Sequence, residues 1–229
     1  MNPDAVERYL GRFALLDVVP ADLRRQLALF RFDPEEAVCL QGEVPDYLHL
    51  LVQGKVKVFT TSIEGRTLLV NFTTPLGVIG EIECLRGREN LNTVTAVTTV
   101  ETIGIHKRWL SRIVAAAPFL HFLLDHVTDK FYTKSISLSS NVLYPVEVRL
   151  ASYLLSVTGD EAPAGATMAN LKDTANLIGT SYRHLNRVIH SFCAAGLVSR
   201  KRGTIVVVDR EGLNGVAGRN IYEKGERDA

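Results

Sequence analysis

The stretch Asn170-Leu171-Lys172-Asp173-Thr174-Ala175-Asn176-Leu177-Ile178, followed by Gly179-Thr180-Ser181 and then by Tyr182-Arg183-His184-Leu185-Asn186-Arg187-Val188-Ile189-His190-Ser191-Phe192, decides how the chain reads. Its first nine residues put Leu171, Ala175 and Ile178 on one face of a short helix. Gly179 breaks that helix, because glycine takes the positive φ of a tight turn without a Cβ clash. Thr180 or Ser181 can cap the next helix by accepting a hydrogen bond from an early N–H. In that second helix Leu185, Val188, Ile189 and Phe192 form the apolar face, and Tyr182, Arg183, Asn186, Arg187 and His190 line the opposite one. A helix pair with a glycine turn and a donor-rich outer face is the pattern of a helix-turn-helix. Its second helix fits the DNA major groove, where arginine can bridge guanine O6 and N7 and asparagine can bridge adenine N6 and N7.

An ordinary helical hairpin with a polar surface would look the same, so the flanks decide. Gly196-Leu197-Val198-Ser199, the basic turn Arg200-Lys201-Arg202-Gly203 and Thr204-Ile205-Val206-Val207-Val208 read as a β-hairpin whose tip would lie over phosphates. Charge points the same way. Between Asn170 and Arg210 seven basic residues, Lys172 among them, face two acids, a surplus of five in a chain of net charge +1, which leaves −4 elsewhere. The segment is a winged helix-turn-helix. Its expected DNA-contacting residues are Lys172, Thr180, Ser181, Tyr182, Arg183, Asn186, Arg187, His190, Arg200, Lys201 and Arg202.

Upstream the period is different. Tyr47 to Val52, Lys55 to Phe59, Thr67 to Phe72 and Thr93 to Ile105 read as strands, with turn signals at Gln53-Gly54 and Ile63-Glu64-Gly65-Arg66. The first hundred residues thus read as an antiparallel roll or barrel. At Pro118 the spacing becomes helical, and Leu120, Leu124, Val127, Phe131 and Leu138 form a seam interrupted by Lys134. A helix of this length either packs on its own neighbouring domain or pairs with a second copy; the seam favours the second. Pro145 restarts the chain, Val146 to Val157 reads as another helix, and Gly159 to Gly165 is a polar loop. The expected division is a sensor at 1–117, a dimerisation helix and hinge at 118–144 and a DNA-binding domain at 145–229.

Composition bounds the rest. With 229 residues, 46% hydrophobic and 22% charged, the chain can bury a real core and is not disordered. Its longest near-apolar stretch, Ile113 to Leu120, is far short of the roughly 18 residues of a bilayer span, and the N-terminus has no apolar signal region. Cys39, Cys84 and Cys193 stand far apart without a CxxC, so neither a disulfide framework nor a cysteine metal cage is expected. These features predict a cytoplasmic protein without a membrane partner.

Taken together, the chain resembles the CRP/FNR family of bacterial transcription regulators. In the roll the resemblance rests on Leu51-Val52-Gln53-Gly54-Lys55-Val56-Lys57-Val58, Glu64-Gly65-Arg66 and Ile79-Gly80-Glu81-Ile82-Glu83. In the DNA module it rests on Gly179-Thr180-Ser181, Arg187, Gly196-Leu197-Val198 and Gly203-Thr204-Ile205. Within the family, Ile79 to Glu83 and Ser181 to Leu185 are most similar to YeiL-type regulators. The resemblance implies an α+β chain with a cyclic-nucleotide-binding-type β-roll, a long dimerisation helix and a C-terminal winged helix. It also implies a homodimer on double-stranded DNA with inverted-repeat half-sites, a small-molecule effector, and a contact with RNA polymerase near the Gly159–Gly165 loop.

The departures are specific. Cyclic-AMP-binding members carry an Arg-Ser pair beyond the Gly-Glu of the roll; here Asn90-Leu91 or Leu91-Asn92 falls there, and the phosphate would lose its bidentate cation. Glu81 keeps the family's ribose position, and of Lys134 and Ser135, where cyclic-AMP binders supply two hydroxyls, only Ser135 retains one. Gly80, Glu81, Arg86, Arg88, Lys134 and Ser135 are therefore the candidate effector pocket, for a ligand other than cyclic AMP, with Arg86 and Arg88 available to another anion. No cysteine precedes Cys39, against an iron–sulfur cluster, and His121 and His126 are too far apart on one helix to share a metal. Cys84 reads as a buried inert thiol, with a redox sensor as its alternative. Tyr182-Arg183 replaces the Arg-Glu of members reading the common half-site, which predicts a different DNA site. Two other functions remain in view: a constitutive DNA-binding protein with a vestigial sensor, and a cupin-like enzyme. The second is disfavoured because the roll has no HxH and the chain has no nucleophile elbow, so no catalytic residue and no metal ligand are assigned.

Overall fold

The structure, a computed structural model, describes residues 3–158, 165–166, 171–201, 204–218 and 220–223, with the backbone alone for 3, 133–143, 165–166 and 201. The chain divides into two packing units, Met1–Val58 with Thr73–Tyr132, and Phe59–Phe72 with Thr133–Ala229.

The N-terminal part runs α1 (Pro3–Arg12), α2 (Ala21–Arg24), β1 (Ala28–Phe32), β2 (Ala37–Cys39), β3 (Tyr47–Gln53), β4 (Val56–Thr61), β5 (Thr67–Thr73), β6 (Val78–Ile79), α3 (Glu81–Arg86), β7 (Thr93–Ala96), β8 (Val100–His106) and α4 (Lys107–Val114). Its two sheets have the orders β1-β8-β3-β6 and β2-β7-β4-β5. Strand β3 explains why residues 48–52 are buried without alternation. Leu48, Leu50 and Val52 point into a core shared with Leu10, Ile103, Ile113, Phe119 and Leu123. Leu51, on the other face, meets Val56, Ile79, Val94 and Val100. A strand covered on both sides has no wet face to leave polar.

The reading of the first hundred residues as strands needs correction in three places. Residues 3–12 and 21–24 are helical, and Glu81–Arg86 forms a helix inside the roll. Helix α1 is amphipathic, with Val6 and Leu10 buried and Asp4 in its first turn. Helix α3 is too short to show a period. It is bounded by Gly80 and Gly87, both in the left-handed region at φ +82° and +61°.

Helix α5 (Ala117–Leu143) has two faces one residue apart. Phe119 and Leu123 are buried in the core, while Leu120, Leu124 and Phe131 are exposed. Val127 is half-buried, and Leu138 lies where only the backbone is described. Leu120, Leu124 and Phe131 thus lie on the outward face of a helix whose inner face docks on its own roll.

The second unit contains α6 (Val146–Val157), β9 (Gly165–Ala166), α7 (Leu171–Leu177), α8 (Tyr182–Ala194), β10 (Val198–Lys201), β11 (Thr204–Val207) and α9 (Arg210–Ala217). Helix α6 is buried nearly all round, including Arg149, Ser152 and Ser156. The predicted hairpin is present as β10 and β11, joined by β9 into a sheet of order β10-β11-β9. Arg200 and Lys201 therefore lie within a strand, paired with Ile205 and Thr204, and not in the turn. Strand β9 and helix α9 were not expected from the residue pattern. Of the Gly159–Gly165 loop only Gly165 falls within the described residues, in β9.

Candidate nucleic-acid interface

The candidate DNA-facing surface is set by how α8 starts. Gly179 sits at φ +65° and ends α7, with Thr180 N–H donating to Ala175 O at 2.8 Å. Ser181 is the cap: its Oγ accepts from His184 N–H at 3.2 Å, satisfying one of the unpaired donors of the first turn. Leu185, Val188, Ile189 and Phe192 are buried, which fixes the roll angle of the helix. The rest of its surface follows. Tyr182, Arg183, Arg187 and His190 are exposed, and Asn186 is half-buried. Helix α8 holds no acidic residue, so nothing on it opposes a phosphate or a guanine edge.

Arg200 on β10 reaches back and donates from Nη1 to Asn186 Oδ1 at 3.3 Å. The wing strand and the reading helix thereby share one polar surface. That contact uses one lone pair of Asn186 Oδ1 and leaves the other, with the amide donors, available to a base edge. Ser181, Lys172 and Arg200 are exposed and Thr180 is half-buried. The Lys201 side chain and Arg202 lie outside the described residues.

In the roll the predicted pocket residues do not share one place. Glu81 is buried, and its Oε1 accepts from Lys130 Nζ at 2.7 Å. The same ammonium donates to Val78 O. Lys130 comes from the inner face of α5. Arg86 and Arg88 instead line an open depression of about 620 Å³ together with Val44, Ile82, Glu83, Gly87, Glu89 and Leu91. Neither Gly80 nor Glu81 borders it. Leu91 is 59% exposed, and Asn90 is buried with its amide donating to Leu40 O at 3.0 Å. Neither replaces a bidentate cation. Lys134 and Ser135 lie on α5 where only the backbone is described.

Burial, with Glu83 nearby, pushes the Cys84 thiol up to about 11 and the Cys39 thiol up to about 12. Both stay protonated near neutrality, which supports inert thiols over a redox sensor. His49 is buried, its Nδ1 2.9 Å from Thr102 Oγ1, and desolvation lowers its pKa to about 4. His106 Nδ1 caps α4 by accepting from Arg108 N–H at 3.1 Å, and His126 Nδ1 lies 2.8 Å from Phe122 O. Among the described residues no three His, Cys, Asp or Glu side chains gather as a metal site would require, and no single helix is long and apolar enough to cross a membrane.

Two family models match. Residues 29–116 match the cyclic nucleotide-binding domain, and residues 148–216 match the Crp-like helix-turn-helix domain, the latter spanning the capped α8 and its wing. The chain belongs to the CRP/FNR family. This CRP/FNR protein is a DNA-binding transcription regulator. It is 28% identical over 210 residues to the regulatory protein YeiL of Escherichia coli O157:H7, covering 91% of this chain and 94% of that one. It is 24% identical over 200 residues to a CRP-like cAMP-activated global transcriptional regulator of Mycobacterium tuberculosis, covering 84% and 89%. Its fold matches that of a CRP/FNR-family regulator from Eubacterium rectale with a TM-score of 0.76 at 17% identity, covering 93% and 100%. A CRP-family regulator from Thermus thermophilus matches with a TM-score of 0.69 at 19% identity, covering 84% and 98%.

Sequence reasoning missed Lys130 and Arg149. Each is a cation on a helix face that is otherwise apolar: Lys130 follows Phe119 and Leu123 at helical spacing, and Arg149 sits inside Val146 to Leu155. A charged residue at a core position was the signal available.

Proposed function

We propose that the chain is a cytoplasmic homodimer that reads an inverted-repeat DNA site through α8 and whose roll senses an effector other than cyclic AMP. The observation that carries the reading is the outward face of α8. Tyr182, Arg183, Asn186, Arg187 and His190 stand on a helix capped by Ser181 and anchored by four buried apolar side chains. Direct contacts to base edges would come from Arg183, Asn186 and Arg187, with Tyr182 and His190 beside them. Lys172, Thr180, Ser181, Arg200, Lys201 and Arg202 would hold phosphates. Two copies would pair through Leu120, Leu124, Val127, Phe131 and Leu138, setting the two α8 helices one DNA turn apart, about 34 Å. In this reading 1–117 is the sensor, 118–144 the dimerisation helix and hinge, and 145–229 the DNA-binding domain. RNA polymerase is a further partner on this reading, through the Gly159–Gly165 loop.

Selection from random duplex DNA with the purified protein at moderate salt, followed by sequencing, tests this. An enriched inverted repeat with half-sites one turn apart is expected. Enriched single half-sites without dyad symmetry would reject the dimeric reading.

The argument against cyclic AMP rests on Asn90-Leu91 or Leu91-Asn92, neither of which supplies a cation where the phosphate needs one. The Lys130–Glu81 pair also favours a second reading, a constitutive regulator whose roll is satisfied without a ligand. Native mass spectrometry separates the two: a co-purifying small molecule supports the sensor, and a bare chain that still selects DNA supports the constitutive form.

A further inference from the structure

Residues 59–72 lie within the stretch that matches the cyclic nucleotide-binding domain, yet they pack with the DNA-reading unit. The contacts that hold them there are specific. Phe72 N–H donates to Tyr222 O at 3.0 Å, and the Phe72 ring lies 6.2 Å from that of Tyr153 on α6. The segment 220–222 is itself tied to α6. Asn220 Nδ2 donates to Ser156 Oγ at 2.9 Å and to Ser152 O at 3.4 Å, and Ile221 N–H donates to Ser152 Oγ at 3.4 Å. This gives the two buried serines of α6 their partners: they anchor the strap.

One turn before Tyr153, Arg149 projects to the helix-turn-helix. Its Nη1 donates to Ile178 O and, at 3.1 Å, to Gly179 O, the carbonyls left open where α7 ends. A guanidinium there satisfies those acceptors and opposes the negative end of the helix. The other wall of the turn is the hairpin. A Cβ on Gly179 would stand 3.0 Å from Arg149 Nη1 and 3.4 Å from Leu68 Cδ1. The turn that aims α8 is held between a cation from α6 and a leucine from β5.

We propose that Arg149 is the positioning residue of the reading helix, and that the hairpin 59–72, strapped by 220–222, is the wall it works against. This rests on the DNA-binding reading of α8.

The test compares the full chain with Arg149→Met, with Leu68→Ala and with a chain ending at Gly218. The selected site and random DNA serve as probes. Each change should lower the ratio of site to random affinity by about tenfold, the worth of one charge-assisted hydrogen bond, while random binding persists. A role in stability alone would lower both affinities together and leave the ratio unchanged; that result overturns the proposal. Amide exchange needs no DNA. Ending the chain at Gly218 should speed exchange at Phe72, Gly179 and Thr180 and spare Val188 inside α8. Equal acceleration at all four, or none, also overturns it. Should the full chain bind no DNA at all, the reading of α8 fails, and the exchange pattern still decides the clamp.

Discussion

Helix α8 and the Glu81 region of the roll treat their polar groups in opposite ways. On α8 the cations and amides point outward, and their one described internal contact is the 3.3 Å bond from Arg200 to Asn186. In the roll the conspicuous carboxylate, Glu81, points inward and is met at 2.7 Å by Lys130 of the same chain. A surface that leaves donors open invites an external acceptor, because each contact made with DNA replaces only water. A buried carboxylate already met by a cation of its own chain has its charge compensated without a ligand, so its presence alone does not call for one. The difference explains why the nucleic-acid side of this protein can be read from single residues and the effector side cannot.

The largest effect is expected at the outward face of α5. Phe131→Asp puts a charge at a residue 74% exposed, so the fold of one chain should be untouched. The dimer should disappear by light scattering, and tight binding to the inverted repeat with it. A stable dimer would show that pairing uses another face.

The inward polar groups come next. Lys130→Met leaves Glu81 buried and uncompensated and should lower unfolding stability by roughly 2–3 kcal/mol, somewhat less than a fully buried pair because Lys130 keeps partial exposure. Adding Glu81→Gln should return much of the loss. If the double variant is no more stable than the single one, the pair is not what holds the inner face of α5.

His49 makes a second inward test. Burial holds its pKa near 4 against 6.5 in a solvated chain, so the unfolded state binds the extra proton between those values. Stability should be full above pH 6.5, fall as the pH drops toward 4, and lose about 3 kcal/mol in all. His49→Gln, which keeps a partner for Thr102, should flatten that part of the profile. An unchanged slope would place the acid sensitivity elsewhere.

On the outward side the effects are smaller and divide by kind. Arg187→Ala should cost about 1–3 kcal/mol on the selected site and little on random DNA, with relaxed preference at the base it contacts. Arg200→Ala should weaken all sequences nearly alike and reduce the salt slope by about one. Equal losses on both DNAs for Arg187→Ala would move that residue from the base edges to the phosphates.

Much of this was open to the sequence. The order of roll, long helix and winged helix-turn-helix follows from local rules: a period of two in the strands, an apolar stripe on the helices, glycine at the turn and serine at the cap. Gly179, Ser181 and the buried set Leu185, Val188, Ile189 and Phe192 behave as their types and spacings require, because each acts within one or two turns of its own backbone. Helix α3 escaped, since six residues between two glycines carry no period, and so did α1, whose apolar face becomes meaningful only against Ile113 and Phe119.

The folded structure was needed for groups whose partners lie far along the chain. Lys130 is 49 residues from Glu81, Arg149 is 29 from Ile178, and Phe72 and Tyr222 stand at opposite ends of the second unit's sequence. Spacing reports which face a residue occupies; it is silent on which distant group that face will meet. The DNA-reading surface needs only the first kind of information, because its partner is another molecule. The satisfied carboxylate of the roll and the clamp on Gly179 need the second, because burial forces each polar group there to find its partner within the fold.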